Sequence, residues 1–410
     1  MTAATANLPR LAKRPHTSGS APRVAFLVSH PIQYYVPLYR RLVEQGGFEV
    51  RVFYTWHGGQ SAVLDRGFGK TFAWDIPLTE GYPFEVVPNV AREPGTHHFW
   101  GLRNPELLSR VLAWRPDVVH LTGYSYASHL SALRGLARRG VPVLFRGDSH
   151  LLDGRRGWKW WLTRAALRRI YHWPAAFLCV GQANRAYYQA CGVPTEKLFA
   201  CPHSIEVDRF AEPREQWEAE AARWRSELGV RAGERVLLFA GKFEPKKRPL
   251  ELMQAFLHAA SPECRLLMLG DGPLGDQVRS LAQQQPARLL TLPFQNQSRM
   301  PAVYRLGDVF VLPSAFAETW GLAVNEALAC GRPVLVSDRV GCAADVVIPG
   351  FNGMVFRHDD WHHFGECLRE MDRRTDFFSD RVRLAADARR FDIAVTAAGM
   401  TAAVKSVLSQ

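Results

Sequence analysis

Short runs of apolar residues, each separated from the next by a helical pattern, recur along almost the whole chain. A continuous apolar run that is too short for a helix is typical of a strand buried on both faces. Such strands connected by helices predict a parallel sheet covered by helices on both sides. The predicted strands lie at 23–29, 48–55, 117–122, 141–146, 176–180 and 198–201 in the first half and at 235–240, 265–269, 289–293, 308–312 and 333–337 in the second.

The alternation breaks near 203–213 and then restarts, which predicts an α/β protein with two doubly wound, Rossmann-like domains. The length of 410 residues also exceeds a single typical core. We predict a disordered tail at 1–22, an N-terminal domain at 23–205, a C-terminal domain at 206–390 and a final helix at 391–410. Ligands of such sheets bind beyond the carboxyl ends of the strands, so two facing sheets predict a ligand cleft between the domains.

Positive charge is concentrated in the first half. Residues 1–205 contain 25 Lys and Arg against 12 Asp and Glu, a net charge of +13, whereas the whole chain carries +12. This asymmetry predicts an anionic partner for the first half. No nucleic-acid recognition motif accompanies the charge, so a membrane surface or a phosphorylated acceptor is favoured over nucleic acid.

The seven cysteines are scattered and form no C-x-x-C pair. They are typical of small buried residues in a reducing compartment rather than of a disulfide framework or a zinc site. No apolar run approaches the roughly 18 residues of a membrane-spanning helix. The tail at 1–22 lacks the apolar core of a signal peptide, so we expect a cytoplasmic protein.

The segment 312–333 carries the clearest chemical signal. A short apolar strand ends here, a loop carries Glu318, and a helix is predicted at about 321–330 with Thr319 as its N-cap. The start of a helix suits a phosphate, because its backbone N–H groups are free and its dipole is positive there. Glu318 and Glu326 can accept hydrogen bonds from hydroxyl groups on either side of that phosphate. Two glutamates eight residues apart are common by chance, but a sugar–diphosphate–ribose ligand has this layout.

A basic loop follows the predicted strand at 235–240. Gly241 permits close backbone approach, and Lys242 and Lys247 can both project into one loop-lined site. A solvated basic loop is the alternative. The chain contains no D-x-D triplet, which commonly holds a divalent ion on a diphosphate, so we expect the lysines to stabilise the leaving group without a metal. The metal-like run at 358–363 is better explained as a surface turn and a helix start.

The run E-T-W-G-L-A-V-N-E-A-L-A-C-G-R-P-V-L-V-S, starting at Glu318, closely resembles the nucleotide-sugar signature of retaining glycosyltransferases of family 4, which have the GT-B fold. The resemblance extends over 236–359 and, less specifically, over 180–203. It implies that Glu318 contacts the donor sugar, that Glu326 contacts the ribose, and that the lysine pair contacts the diphosphate. The backbone that would cradle phosphate and sugar belongs to Thr319, Trp320, Gly321 and Leu322. The loop with Gln295 and Asn296 would border the nucleobase, and the final helix would pack back on the first domain.

The acceptor side departs from the family pattern. The segment that contains His30 replaces a glycine-rich loop, and Asp148 stands nearest the position where many relatives have a histidine, with His150 just beyond. In a retaining, same-face mechanism the leaving diphosphate can take the acceptor proton. Asp148 is therefore expected to orient or stabilise rather than to attack, and His30 and His150 are candidates for the acceptor side.

Residues 154–171 are basic and aromatic at helical spacing. This pattern suits an interfacial helix on an anionic membrane, and the alternative is a helix that packs its tryptophans into the domain core.

The sequence thus predicts metal-independent, retaining transfer of a sugar from a nucleotide diphosphate, with no cofactor. The expected acceptor is a cell-envelope, polysaccharide or lipid-linked glycan at the inner membrane face. A nucleotide-sugar hydrolase or epimerase of the same fold, or a non-catalytic nucleotide-sugar sensor at the membrane, remains as an alternative.

Overall fold

The computed structural model describes residues 21–58, 63–65, 70–154, 157–374 and 380–409. The predicted disordered tail therefore lies, except for its last two residues, outside the described residues, as do Arg155 and Arg156 of the basic aromatic segment. Among the described residues no helix is long and apolar enough to cross a membrane.

A seven-stranded parallel sheet organises the N-terminal half. From edge to edge its strands are Phe84–Val86, Glu49–Tyr54, Arg23–Val28, Val118–Thr122, Val143–Arg146, Ala176–Cys179 and Leu198–Ala200. A separate antiparallel pair is formed by Val63–Asp65 and Lys70–Phe72. The helices of this half are Val36–Gln45, Leu107–Ala113, Ala127–Arg138, Trp158–Ile170 and Gln182–Ala190.

A six-stranded parallel sheet organises the C-terminal half. From edge to edge its strands are Leu289–Leu292, Cys264–Asp271, Arg235–Lys242, Val309–Leu312, Val334–Ser337 and Gly353–Phe356. Ten helices are described in this half and its C-terminal extension: Val207–Ala211, Arg214–Glu227, Pro249–Ala259, Gly275–Gln284, Met300–Leu306, Leu322–Ala329, Ala343–Val346, Trp361–Arg373, Arg381–Asp387 and Ile393–Leu408.

Both sheets are buried on their two faces, which explains their continuous apolar strands. Phe26 and Leu27 are neighbours in one strand, are both fully buried, and belong to hydrophobic clusters on opposite faces. Leu237 and Leu238 do the same in the second sheet. The predicted pair of doubly wound parallel sheets is confirmed. The prediction missed the strands Phe84–Val86 and Gly353–Phe356 and the antiparallel pair, because three or four residues are too few to show a pattern.

The final helix, Ile393–Leu408, contacts the helix Val36–Gln45 and two strands of the first sheet, Ala176–Cys179 and Leu198–Ala200. Gly399 permits this close approach, because a Cβ atom there would lie 2.1 Å from the carbonyl oxygen of Ala200. The helix thus joins the end of the chain to the N-terminal half. The domain boundaries at residues 205 and 390 stay predictions.

A buried ion-pair cluster fixes the helix Arg214–Glu227 to the second sheet's layer of helices. Glu218 accepts two hydrogen bonds from Arg332: Nη2 donates to Oε2 at 2.7 Å and Nη1 donates to Oε1 at 3.1 Å. Its Oε1 also lies 3.5 Å from Nε of Arg305. Only 1% of either arginine side chain is exposed. Burial opposes ionisation of Glu218, but the hydrogen bonds and charge of Arg332 lower its pKa below the ordinary value.

Replacing Glu218 with alanine removes the carboxylate that two buried guanidinium groups share. We expect Glu218→Ala to destabilise the C-terminal half by about 3 kcal/mol, since breaking a buried pair leaves uncompensated charge. The midpoint of urea unfolding, followed by tryptophan fluorescence, measures the change. Glu220→Ala is the matched control: Glu220 lies on the same helix as Glu218 but pairs with the half-exposed Arg299, and such pairs contribute about 1 kcal/mol or less. Equal midpoints for the two variants would contradict the expectation.

Candidate functional site

A cavity of about 640 Å³ lies between the two halves, at the carboxyl ends of strands from both sheets. Its N-terminal wall comprises His30, Ile32, Gln33, Tyr34, Tyr35, Trp74, Asp148 and His203. Its C-terminal wall includes Gly241, Lys242, Glu244, Lys246, Lys247, Phe294, Gln295, Gln297, Met300, Tyr304, Glu318, Thr319, Trp320, Gly321, Leu322, Ala323 and Glu326. The structure therefore brings together most of the residues that the sequence singled out, although they come from distant parts of the chain.

Glu318 follows the strand Val309–Leu312 and points toward the basic loop. Its Oε2 accepts a hydrogen bond from Ser314 Oγ at 2.9 Å and pairs with the ammonium group of Lys247. Burial alone would raise the pKa of Glu318, but the Lys247 ammonium and the Ser314 hydroxyl bring it below the ordinary value. The site thus holds an ionised acid beside a cation, both of which line the cavity.

A neighbouring turn fixes the backbone around Glu318. The amide of Gly341 donates to the carbonyl of Glu318 at 3.0 Å, and the amide of Cys342 donates to the carbonyl of Trp320 at 2.9 Å. A Cβ atom at position 341 would lie 2.1 Å from the carbonyl oxygen of Thr319. The close contact between the two turns therefore requires glycine.

The helix Leu322–Ala329 begins at the cavity wall. Its N-cap is Gly321, with φ 96°, and no side chain caps it, so the predicted N-cap at Thr319 is wrong. A left-handed residue turns the chain sharply into the helix, and glycine adopts that conformation without steric penalty. The backbone at the helix start consequently lies against the cavity, where a phosphate is favoured.

Glu326 lies one turn inside this helix and only 2% of it is exposed. Its Oε2 accepts a hydrogen bond from the Tyr304 hydroxyl, and the Tyr34 hydroxyl of the opposite half also faces this carboxylate. Within the described part of the chain Oε1 lies within hydrogen-bond distance and angle of no donor. Burial raises the pKa of this carboxyl group. A buried acceptor without a partner is costly, so Oε1 is suited to a hydroxyl group of a ligand.

The lysines come from one strand end and the turn that follows it. Lys242 is the last residue of the strand Arg235–Lys242, and Lys247 closes the short 3₁₀ turn Pro245–Lys247. The carbonyl of Lys246 accepts a hydrogen bond from the Ala315 amide at 2.8 Å, which ties this turn to the loop before Glu318. Both lysines line the same wall as the two glutamates.

Asp148 on the opposite wall is partly exposed to the cavity and is joined to two buried polar residues, His203 and Arg146. Its Oδ1 lies 3.3 Å from His203 Nε2, and His203 Nδ1 lies 3.4 Å from Arg146 Nη2. Since a guanidinium group only donates, Nδ1 accepts and the imidazole proton is assigned to Nε2, facing Asp148. Burial opposes ionisation of Asp148, but His203 and Arg146 lower its pKa below the ordinary value. His203 was not predicted as a site residue; its position at the crossing between the halves was the available signal.

His30 lines the same wall of the cavity as Asp148. Its Nδ1 lies 2.9 Å from Ser29 Oγ, and its ring centroid lies 5.6 Å from that of Trp56. Burial lowers its pKa to about 4, so the ring is neutral near neutral pH. It can therefore serve a ligand hydroxyl as a neutral hydrogen-bonding group. Tyr34, four residues later, also reaches the cavity and could have been suspected from its place after the first strand.

Two predicted residues do not line the cavity. His150 is 5% exposed and its Nδ1 accepts a hydrogen bond from the Leu152 amide at 3.2 Å. Asn296 donates from Nδ2 to the carbonyl of Ala73 at 2.8 Å and so joins the two halves, whereas its neighbour Gln295 lines the cavity. Both side chains are used by protein contacts that a sequence pattern does not reveal.

The run at 358–363 forms a surface turn and a helix start, as predicted. Asp360 caps the helix Trp361–Arg373 by accepting the His363 amide at 2.8 Å, and His358 Nδ1 lies 3.0 Å from Asp338 Oδ1. These side chains do not converge as a ligand set in the described part of the chain. Elsewhere among the described residues, three groups that could ligate a metal lie together on a loop outside the cavity wall: Glu93, His97 and His98.

Solved structures with low sequence identity share the architecture. The Anabaena protein HepE, in complex with UDP and glucose, superimposes with a TM-score of 0.68 at 16% identity, covering 94% of this chain and 100% of HepE. A glycosyltransferase from Rickettsia africae superimposes with a TM-score of 0.72 at 10% identity, covering 95% and 99%. These likenesses establish the GT-B fold.

Sequence comparison identifies the family. The Glycosyltransferase Family 4 model matches residues 33–209, and the model described as Glycosyl transferases group 1 matches residues 220–390. A relative from Rhodococcus erythropolis, named D-inositol 3-phosphate glycosyltransferase, is 35% identical over 332 residues, or 71% of each chain. A relative of the same name from Nocardia farcinica is 28% identical over 358 residues, or 82% of this chain and 72% of the relative. The chain therefore belongs to glycosyltransferase family 4 and is a glycosyltransferase with the GT-B fold.

Proposed function

We propose that the enzyme transfers a sugar from a nucleotide diphosphate to a glycan acceptor with retention at the anomeric carbon and without a metal ion. The observation that carries the proposal is the convergence of Glu318, Glu326, Lys242 and Lys247 on one wall of the cavity, around the start of the helix Leu322–Ala329. This wall offers cations and backbone amides to a diphosphate and carboxylates to the hydroxyl groups on either side of it. The UDP and glucose bound by HepE have the same chemical layout.

The C-terminal wall supplies the donor contacts. Lys242 and Lys247 stabilise the charge that develops on the diphosphate when the glycosidic bond breaks, and the helix start adds its positive end. Glu318 accepts hydrogen bonds from the donor sugar, and the unpaired Oε1 of Glu326 accepts one from the ribose. The ion pair between Lys247 and Glu318 prepares the site, because it holds both groups in place before the donor arrives.

The N-terminal wall receives the acceptor. In a same-face transfer the departing diphosphate oxygen takes the acceptor proton, so no enzyme nucleophile is required. The ionised Asp148, oriented by His203, stabilises positive charge on the reacting sugar ring, and the neutral His30 hydrogen-bonds to the acceptor. His150 is buried and does not line the cavity, so the proposal gives it no contact with the acceptor.

The helix Trp158–Ile170 supports a lipid-linked or cell-envelope acceptor, met at the inner face of the cytoplasmic membrane. Trp158, Trp161 and Leu162 are 69%, 65% and 62% exposed and share one face, whereas Leu167 on the opposite face is buried. Lys159, Arg168 and Arg169 are also exposed on this helix. Exposed tryptophans beside basic residues suit the interface of an anionic membrane, so we propose that this helix attaches the enzyme peripherally.

Glu318→Gln and Lys247→Ala are expected to reduce sugar transfer by about 100-fold or more, because each removes a group that acts on the donor. A thermal-shift screen of UDP-, GDP- and ADP-sugars first identifies the donor, since a bound ligand raises the melting temperature. Transfer is then measured with lipid-linked glycan acceptors and with D-inositol 3-phosphate, and NMR determines the anomeric configuration of the product. Glu251→Gln, at a half-exposed helix position outside the cavity wall, is the control. Wild-type turnover by either site variant, or an inverted product, would contradict the proposal.

Removing divalent ions is expected to leave transfer unchanged, because lysines and the helix start neutralise the diphosphate. The measurement is the initial rate after dialysis against EDTA, compared with EDTA saturated with Mg²⁺. Loss of activity that Mg²⁺ or Mn²⁺ restores would refute metal independence.

Truncating the exposed face of the helix Trp158–Ile170 is expected to weaken membrane binding. The triple variant Trp158→Ala, Trp161→Ala, Leu162→Ala loses buried apolar area at the interface, so its partition onto phosphatidylglycerol vesicles should fall by about tenfold or more. Co-sedimentation measures it, with pure phosphatidylcholine vesicles as the uncharged comparison. Trp100→Ala, which removes a 61% exposed tryptophan elsewhere, is the control. Equal binding of the triple variant and the wild type would exclude this helix as the anchor.

A further inference from the structure

The residue before Glu318 has an unusual backbone conformation. Ala317 has φ 52°, in the left-handed region that residues with a Cβ atom rarely adopt. Such a conformation persists only where the surroundings hold it. The orientation of Glu318 therefore depends on whatever holds the peptide of Ala317.

A carboxylate from the opposite half makes that contact. Oδ1 and Oδ2 of Asp153 both lie 3.2 Å from the amide nitrogen of Ala317, which donates to them. Asp153 follows the strand Val143–Arg146, as does Asp148, and so belongs to the N-terminal wall's segment rather than to the donor wall. The contact crosses the cleft and exists only when the two halves are close together.

Another contact across the cleft reaches the far end of this loop, where the ring centroid of Trp320 lies 5.8 Å from that of His203. A hydrogen bond from a different segment of the N-terminal half does not touch the loop. Asp75, also in the N-terminal half, accepts a hydrogen bond from the Ser298 amide, at 3.1 Å to Oδ1 and 3.3 Å to Oδ2. Asp75 and Asp153 are thus two aspartates that each accept a backbone N–H from the opposite half. Asp153 differs in that its partner lies directly before Glu318.

We propose that Asp153 is a positioning residue that couples closure of the cleft to the orientation of Glu318. When the halves close, the carboxylate holds the Ala317 amide and with it the left-handed turn that presents Glu318 to the donor sugar. When they open, the amide loses this partner and the turn is free to relax. The inference rests on the proposed role of Glu318 and adds that its active orientation is completed by the acceptor-side half. Productive alignment is thereby restricted to the closed cleft.

The test compares Asp153→Ala and Asp153→Asn with Asp75→Ala. Asp153→Ala is expected to lower kcat by about tenfold or more, because misalignment of a reacting group acts on the chemical step. It should change the Kd of the nucleoside diphosphate by less than about twofold, because that ligand is held by the C-terminal wall. The probe is whichever of UDP, GDP and ADP most stabilises the wild type. Asp153→Asn, whose amide oxygen still accepts one hydrogen bond, should lie between the wild type and Asp153→Ala.

Hydrogen exchange of the peptide that spans Ala315–Trp320 provides a readout independent of turnover. With the nucleotide bound, Asp153→Ala should speed exchange in this peptide, and Asp75→Ala should not. Unchanged kcat and exchange in Asp153→Ala, or an equal loss in Asp75→Ala, would overturn the inference. If the wild type transfers no sugar but the exchange difference is present, the proposed function fails and the structural coupling stands.

Discussion

Burial of both sheets on their two faces is the constraint on which the rest of the structure depends. Strands such as Arg23–Val28 and Arg235–Lys242 have apolar side chains on both sides, so almost no polar group can be placed along their length. Polar chemistry is confined to the loops at the carboxyl ends. Because these ends face each other across the cleft, the two lysines, the two glutamates and Asp148 meet in one cavity although they are far apart in sequence.

The sequence predicted the parts of the site that one short segment determines. Glu318, Glu326 and the lysines of the basic loop could be found because they stand at a strand end and a helix start within segments that resemble the family 4 pattern. The helix cap could not be predicted. Threonine is a preferred N-cap residue and so favoured Thr319, whereas the cap is Gly321, whose left-handed conformation is set by the tight turn around it. Contacts between distant segments could not be predicted either. Asn296 donates a hydrogen bond to the carbonyl of Ala73, and His203 pairs with Asp148. Both contacts depend on how the two halves meet.

The charged groups of the cleft stabilise one another. His203 and Arg146 lower the pKa of Asp148, and Lys247 lowers the pKa of Glu318, so both carboxylates are ionised. For Glu326 burial outweighs the opposing effects of Tyr304, Arg209 and Tyr34, so its pKa is raised. Each wall thus carries one carboxylate that neighbouring groups stabilise in its ionised form. The C-terminal wall also carries Lys242, Lys246 and Lys247, so the proposed donor side is the more positively charged of the two.

The segment from Asp148 to Trp158 has a consequence for the reach of the enzyme. It contains the cleft carboxylate, the contact with Ala317 and the first exposed tryptophan of the basic helix. Trp158 is the fifth residue after Asp153, and a fully extended chain of five residues spans at most about 18 Å. If that tryptophan rests in a lipid interface, as the proposed membrane attachment requires, the loop before Glu318 stands within roughly 20 Å of that interface. A short polar headgroup could then be glycosylated while its acyl chains remain in the membrane, whereas a long glycan would have to fold back toward the surface.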